Sequence, residues 1–216
     1  MRFYSKQHEF CVGIDLHARQ MFVCVLNRAG ETLLHRNMPA DRTHLEQVTK
    51  RFDGDLVIAV ECIFTWYWIA DFCDERDIPF VLGHALYMKA IHGGKSKNDK
   101  IDSHKIATML RAGMLPMAYV YPRRMRATRD LLRRREYFMH QQSELLTHVK
   151  NTNTQYNYPA FQKRIAATAN RQGLEERFEE PSAQKSIEAD LYLLDVYHRV
   201  LLDLESEIKR QAKHHD

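Results

Sequence analysis

The sequence predicts an α/β domain, a mixed sheet flanked by helices, followed by a long helical, coiled-coil-like segment. Three observations predict it. Apolar runs of strand length crowd the first third of the chain. Helix-length stretches with three-and-four apolar spacing then alternate with further strands. Two long stretches after residue 122 keep a heptad-like apolar register.

Residues 10–16 (FCVGIDL) are almost continuously apolar, as a central strand covered on both faces should be. Residues 21–26 (MFVCVL) and 31–35 follow across short polar turns, so two hairpin-connected strands stand beside the first. A helix over 41–52 is marked by Leu45, Val48 and Phe52, with Asp41 as its cap. Residues 56–60 (LVIAV) form a short buried strand. A helix over 65–76 places Trp66, Ile69, Ala70 and Cys73 on one face. A strand over 79–82 and a short helix over 85–91 come next. Asn98 caps a helix that Gly113 ends, with Ala107, Leu110 and Met114 as its apolar stripe. A three-strand meander followed by β/α units implies a mixed sheet with helices on both faces. That element order is the order of an RNase H-like architecture, although P-loop and actin-like folds also use β/α units.

Residues 116–122 connect this domain, 1–122, to a helical segment, 123–216. In its first helix, to about residue 156, Leu131, Phe138, Leu145, Val149 and Tyr156 fall in an a/d-like register. Pro159, Gly173 and Pro181 punctuate an irregular middle. A second helix from about residue 183 carries Ile187, Leu191, Leu194, Leu201, Leu204 and Ile208. The pair reads as an antiparallel hairpin or as a dimerising coiled coil, so self-association as a dimer or higher oligomer is expected.

Composition narrows the function classes. Hydrophobic residues at 44% support a buried core, whereas 28% charged residues and a mean hydropathy of −0.51 leave room for exposed helices. Residues 1–9 are polar, no secretory h-region follows, and no apolar run spans a bilayer, so a soluble, cytoplasmic protein with no membrane partner is expected. Cys11, Cys24, Cys62 and Cys73 lack C-x-x-C spacing, and the histidines form no H-E-x-x-H pair, which argues against a zinc site. Gly94-Lys95-Ser96 mimics the end of a P-loop, but Lys89 stands where that loop needs its first glycine.

Four carboxylates stand out. Asp15 closes an apolar strand, and Glu61 repeats the pattern directly after LVIAV. A carboxylate there is costly unless something binds it. Asp99 and Asp102, three apart, share one helical face. Singly, these two fit an ordinary first helical turn, where acids complement the dipole. Jointly, two acids at neighbouring strand ends and two from a crossing helix can converge. Their mutual repulsion then calls for cations, and hard oxygen ligands suit Mg²⁺, with Mn²⁺ as an alternative. Two such ions roughly 4 Å apart would serve phosphodiester chemistry.

The charge is uneven. Seven arginines (Arg123, Arg124, Arg126, Arg129, Arg133, Arg134, Arg135) stand against one acid, Asp130. Such a block suits a polyanion, or else a solvated helix face balanced by a neighbouring helix. Lys95, Lys97, Lys100 and Lys105 around the Asp pair read as phosphate contacts or as a solvated loop. Trp66, Tyr67 and Trp68 read as packing rather than base stacking, and Ser103 has no base at suggestive spacing.

GIDLH, a strand ending in Glu61, KNDKID opening a helix, and the PMAYVYP connector together resemble the DEDD insertion-sequence transposases, the bridge-RNA-guided recombinases. The resemblance covers roughly residues 10–150 in motif detail. It implies a RuvC-like domain with Asp15, Glu61, Asp99 and Asp102 as catalytic, metal-binding acids. It also implies a coiled coil, and a C-terminal domain whose serine links covalently to DNA. A structured guide RNA would supply sequence specificity, with the protein contacting DNA backbone and shape. None of Ser5, Ser96, Ser103, Ser143, Ser182, Ser186 and Ser206 has the expected placement. The chain is therefore expected to be a fragment, by design or natural, that binds nucleic acid and metal but does not recombine alone. Other readings are a stand-alone nuclease of the Holliday-junction-resolvase type and a non-catalytic RNA-binding or dimerisation module. An actin-like ATPase ranks last, since no second glycine-rich phosphate loop is visible.

Overall fold

The structure is a computed structural model that describes residues 1–91 and 98–213. The chain divides into two compact units, 1–123 and 124–216.

The first unit is built on five strands: β2 (Phe10–Leu16), β3 (Gln20–Asn27), β4 (Thr32–Pro39), β5 (Leu56–Glu61) and β6 (Phe80–Gly83). A separate two-residue strand, β1 (Phe3–Tyr4), precedes them. In space they lie in the order β4-β3-β2-β5-β6. The hairpins make β3 antiparallel to both neighbours, while β5 and β6 run parallel to β2. A meander joined to parallel β/α units, with helices on both faces, is the RNase H-like arrangement.

Side-chain alternation divides the two faces. Val12, Ile14 and Leu16 of β2 face a core shared with α1 (Arg42–Arg51) and α2 (Tyr67–Asp74) through Leu45, Val48, Trp66 and Ile69. Asp41 caps α1, its carboxylate accepting from the His44 amide at 2.9 Å. Trp66 is buried, so it packs. Cys11, Val57 and Ala59 face the opposite layer, with Met88 of α3 (Ala85–Ile91) and Ile106, Met109 and Leu110 of α4 (Asp99–Arg111). The four cysteines are free thiols, and burial pushes Cys11 and Cys24 up to about 11 and Cys73 to about 12.

Two features differ from the expectation. The strand expected to stop at residue 35 continues to Pro39, its ladder running on to Gln20↔Pro39. As an edge strand with exposed Arg36 and Asn37, its far end shows no apolar alternation to read. β1 pairs antiparallel with β7 (Leu115–Pro116), a two-residue match too short for any periodicity.

In the second unit, α5 (Arg123–Gln155) and α6 (Pro181–Ala212) form an antiparallel hairpin within the chain. Arg135 pairs with Glu205 at 2.5 Å, His148 with Asp190 at 2.5 Å, and the Phe138 and Tyr197 rings lie 5.7 Å apart. The segment between the helices closes a small core: Ile165 and Phe178 pack with Val149, Ile187, Leu191 and Leu194. Arg171 is buried there, with Asp195 at 2.5 Å and the carbonyls of Ile165 and Ala166 as its acceptors. No helix among the described residues is long and apolar enough to cross a membrane.

Candidate metal centre

Gly13 decides how the centre is assembled. A Cβ built on it would lie 2.3 Å from the backbone nitrogen of Ala107 and 2.4 Å from the carbonyl of Ser103. α4 therefore lies directly on the bare backbone of β2, a close approach that glycine permits. Two residues along a strand advance about 6.6 Å, and four residues along a helix about 6 Å. The step from Gly13 to Asp15 thus matches the step from Ser103 back to Asp99. Asp102 lies one turn before the buried Ile106, also on the sheet-facing side.

Glu61 arrives from the neighbouring strand. β2 and β5 pair in parallel with Gly13↔Ala59 and Ile14↔Val60, and one step further lie Asp15 and Glu61, the last residue of β5. Ala59 and Cys11 belong to the α4 face, so alternation puts Asp15 and Glu61 on that face too. Asn98 caps α4, its side-chain oxygen accepting from the Lys100 amide at 3.1 Å. That cap orients the turn carrying both aspartates.

Asp15 is mostly buried, its side chain 15% exposed. Burial first, and then the Asp99 and Asp102 charges, push its carboxyl above the ordinary carboxylate value, while His17 pulls it down. A partly desolvated acid beside two more acids favours a bound cation. His17 answers part of that demand: its Nε2 lies 3.3 Å from Asp15 Oδ2 and 3.5 Å from Asp99 Oδ2. Ligand atoms of Asp15, His17 and Asp99 all lie within 4.8 Å of one another. An octahedral ion with bonds of about 2.1 Å keeps adjacent donors ~3 Å apart and opposed donors ~4.2 Å apart. Two of the three separations are thus close to the adjacent-donor value, so Asp15, His17 and Asp99 could hold one divalent ion once drawn together, whereas Glu61 and Asp102 fall outside this grouping.

Sequence reasoning missed His17. Its signal is present in GIDLH: two residues beyond Asp15, it follows the same alternation, but it stands where the strand has ended. Sequence reasoning also missed His35, a residue of β4. Its Nε2–H is shared between the Lys100 carbonyl (2.8 Å) and Ser103 Oγ (3.2 Å), pinning the first turn of α4 to the sheet. Ser103 is fully buried and donates to that same carbonyl at 3.0 Å.

The predicted basic contacts are distributed unevenly. Lys105 reaches Asp102 at 3.3 Å, and Lys100 is exposed. Lys95, Lys97 and the P-loop-like Gly94-Lys95-Ser96 lie outside the described residues. Arg123, Arg124, Arg133 and Arg134 are exposed, and Arg123 lies 3.8 Å from Asp71. Arg129 contacts Asp130, Arg135 is held by Glu205, and Arg126 is buried.

Beside the acids runs an open groove of about 560 Å³, lined by Leu16, His17, Arg19, Ile63, Phe64 and Asp99 among others.

The sequence model of the IS110 DEDD transposases matches residues 12–158, more than half of the chain and a span that contains all four acids. No curated protein matches the sequence.

Proposed function

From a chain that belongs to the IS110 family of DEDD transposases, we propose that these residues supply the metal-binding part of a DNA strand-cleavage and exchange site, guided by RNA. The observation that carries the proposal is the approach of Asp15, Asp99 and Asp102 at the end of β2, with Glu61 ending the adjacent strand on the same face. These four acids hold Mg²⁺, or Mn²⁺ in its place. Bound there, the ion supplies Lewis-acid stabilisation of charge on phosphate oxygens. Lys100 and Lys105 approach the phosphates flanking that point. Lys105, placed 3.3 Å from Asp102, would be within reach of a phosphate held beside that carboxylate. His35 and Ser103 keep the turn that bears Asp99 and Asp102 against the sheet.

The exposed arginines of α5 hold the structured guide RNA and DNA backbone by charge, without reading sequence. Sequence choice then falls to base pairing by the RNA. Self-association through α5 and α6 would use apolar side chains left exposed outside the hairpin, such as Leu132, Tyr192 and Leu202.

The test is a melting experiment. Mg²⁺ or Mn²⁺ at about a hundred times its dissociation constant stabilises the chain by about 2.7 kcal/mol, a rise of roughly 5–10 °C. Asp102→Asn removes most of that rise. An equal rise in the variant places the ion elsewhere and overturns the proposal. A second reading, a stand-alone resolvase-like nuclease, draws on the confinement of all four acids to the first unit. Mg²⁺-dependent cleavage of branched DNA by this chain alone would favour it.

A further inference from the structure

The acids account for oxygen donors only, whereas the grouping of ligand-capable atoms found among the described residues includes a nitrogen. His17 Nε2 lies 3.3 Å from Asp15 Oδ2 and 3.5 Å from Asp99 Oδ2, so it faces the gap between two carboxylates contributed by different elements. Those separations are close to the ~3 Å expected between adjacent donors on one octahedral ion. An imidazole that merely capped Asp15 would not also need to reach the first turn of α4.

The His17 side chain is about half exposed, at 54%, so packing does not account for where it sits. It also lines the open groove beside the acids, which leaves a path for an ion to reach it.

We infer that His17 is itself a ligand of the divalent ion, making this a mixed nitrogen–oxygen site that prefers Mn²⁺ over Mg²⁺. The inference rests on the metal-binding reading above and deepens it. Imidazole suits borderline first-row ions, whereas Mg²⁺ favours oxygen and water. Mg²⁺ is the harder ion and gives up water reluctantly, so an imidazole nitrogen adds less to its affinity than to that of the first-row ion Mn²⁺. The carboxylates hold the ion in either case; His17 decides which ion is held more tightly.

The experiment uses the 216-residue chain with Mn²⁺ alone as the probe. Pulsed electron paramagnetic resonance on the Mn²⁺-loaded protein is expected to show ¹⁴N modulation from a directly bound imidazole. His17→Ala should abolish that modulation and weaken Mn²⁺ binding, by calorimetry, about tenfold or more, while Mg²⁺ binding changes by less than about threefold. The circular dichroism spectrum of the variant should match the parent, showing that it folds. Mn²⁺ bound in an Asp15-dependent manner without ¹⁴N modulation overturns the inference and leaves the carboxylate reading standing; His17 is then a hydrogen-bond bridge. Equal loss of both ions in His17→Ala overturns it as well. Absence of binding, or binding unchanged by Asp15→Asn, overturns the metal-binding reading itself.

Discussion

His35 shows how one side chain on an edge strand governs residues far from it in sequence. Its ring donates to the Lys100 carbonyl and Ser103 Oγ, and thereby holds the turn between Asp99 and Asp102. Burial, and then the nearby His104 and Lys100 charges, lower its pKa from 6.5, only partly offset by the bond to the Lys100 carbonyl. The folded chain therefore keeps this ring neutral at pH values where the unfolded chain has already protonated it. Below about pH 6.5 the unfolded state binds more protons, so stability falls as pH falls from there through the folded-state pKa. His35→Gln, which keeps a donor without titrating, should flatten part of the drop in melting temperature between pH 7.5 and 5.5, measured without metal. An identical pH profile for both proteins would show that the ring contributes nothing to it. Neither His35 nor His17 was legible as part of the candidate site. Asp15 and Glu61 were, because a charge closing an apolar strand breaks a local pattern. His35 meets Lys100 across 65 residues, and no local pattern encodes that meeting.

At the scale of elements, the glycine in GID matters as much as its acid. The contacts a Cβ would make at residue 13 are with helix backbone, which cannot rotate aside as a side chain can. Gly13→Ala should push α4 away from β2, carrying Asp99 and Asp102 with it, while leaving every ligand in place chemically. Overpacking of this kind costs about 1–3 kcal/mol, or roughly 3–10 °C in melting temperature. Mn²⁺ affinity should fall by about tenfold or more, since misplacing ligands by an ångström is costly. A stable variant with parental affinity would mean that α4 does not depend on this contact for its position. The strands and helices of this unit were legible because their apolar periodicities are strong. The β1–β7 pair was not, because two residues have no period, and Phe3 and Tyr4 find their partners more than a hundred residues away. The segment between α5 and α6 was read as irregular, yet Ile165 and Phe178 are buried in a core. Its apolar residues are spaced by turns rather than by any regular element, so only the folded packing brings them together.

For the whole molecule, charge is clustered rather than spread evenly. The net charge of +4 conceals an arginine block at the start of α5 whose members differ in what they can reach. Arg133 and Arg134 are exposed, and the Arg134 guanidinium lies 5.6 Å from the centre of the Tyr137 ring. Arg135, the next residue, is committed to Glu205 of the returning helix. If the block binds RNA through phosphates, each free arginine contributes about 0.7–0.9 to the slope of log affinity against log salt. Replacing Arg133 and Arg134 with Ala should therefore lower the magnitude of that slope by about 1.4–1.8 without changing the melting temperature appreciably. Arg135→Ala should do the reverse. The slope stays as it was, while stability drops by up to about 1 kcal/mol as the ion pair between α5 and α6 is lost. Binding of a structured RNA, measured across a salt series for each variant, separates the two. An unchanged slope in the double variant would assign those arginines to solvent. A reduced slope in Arg135→Ala would mean that RNA draws Arg135 away from Glu205, and that binding loosens the hairpin it rests on.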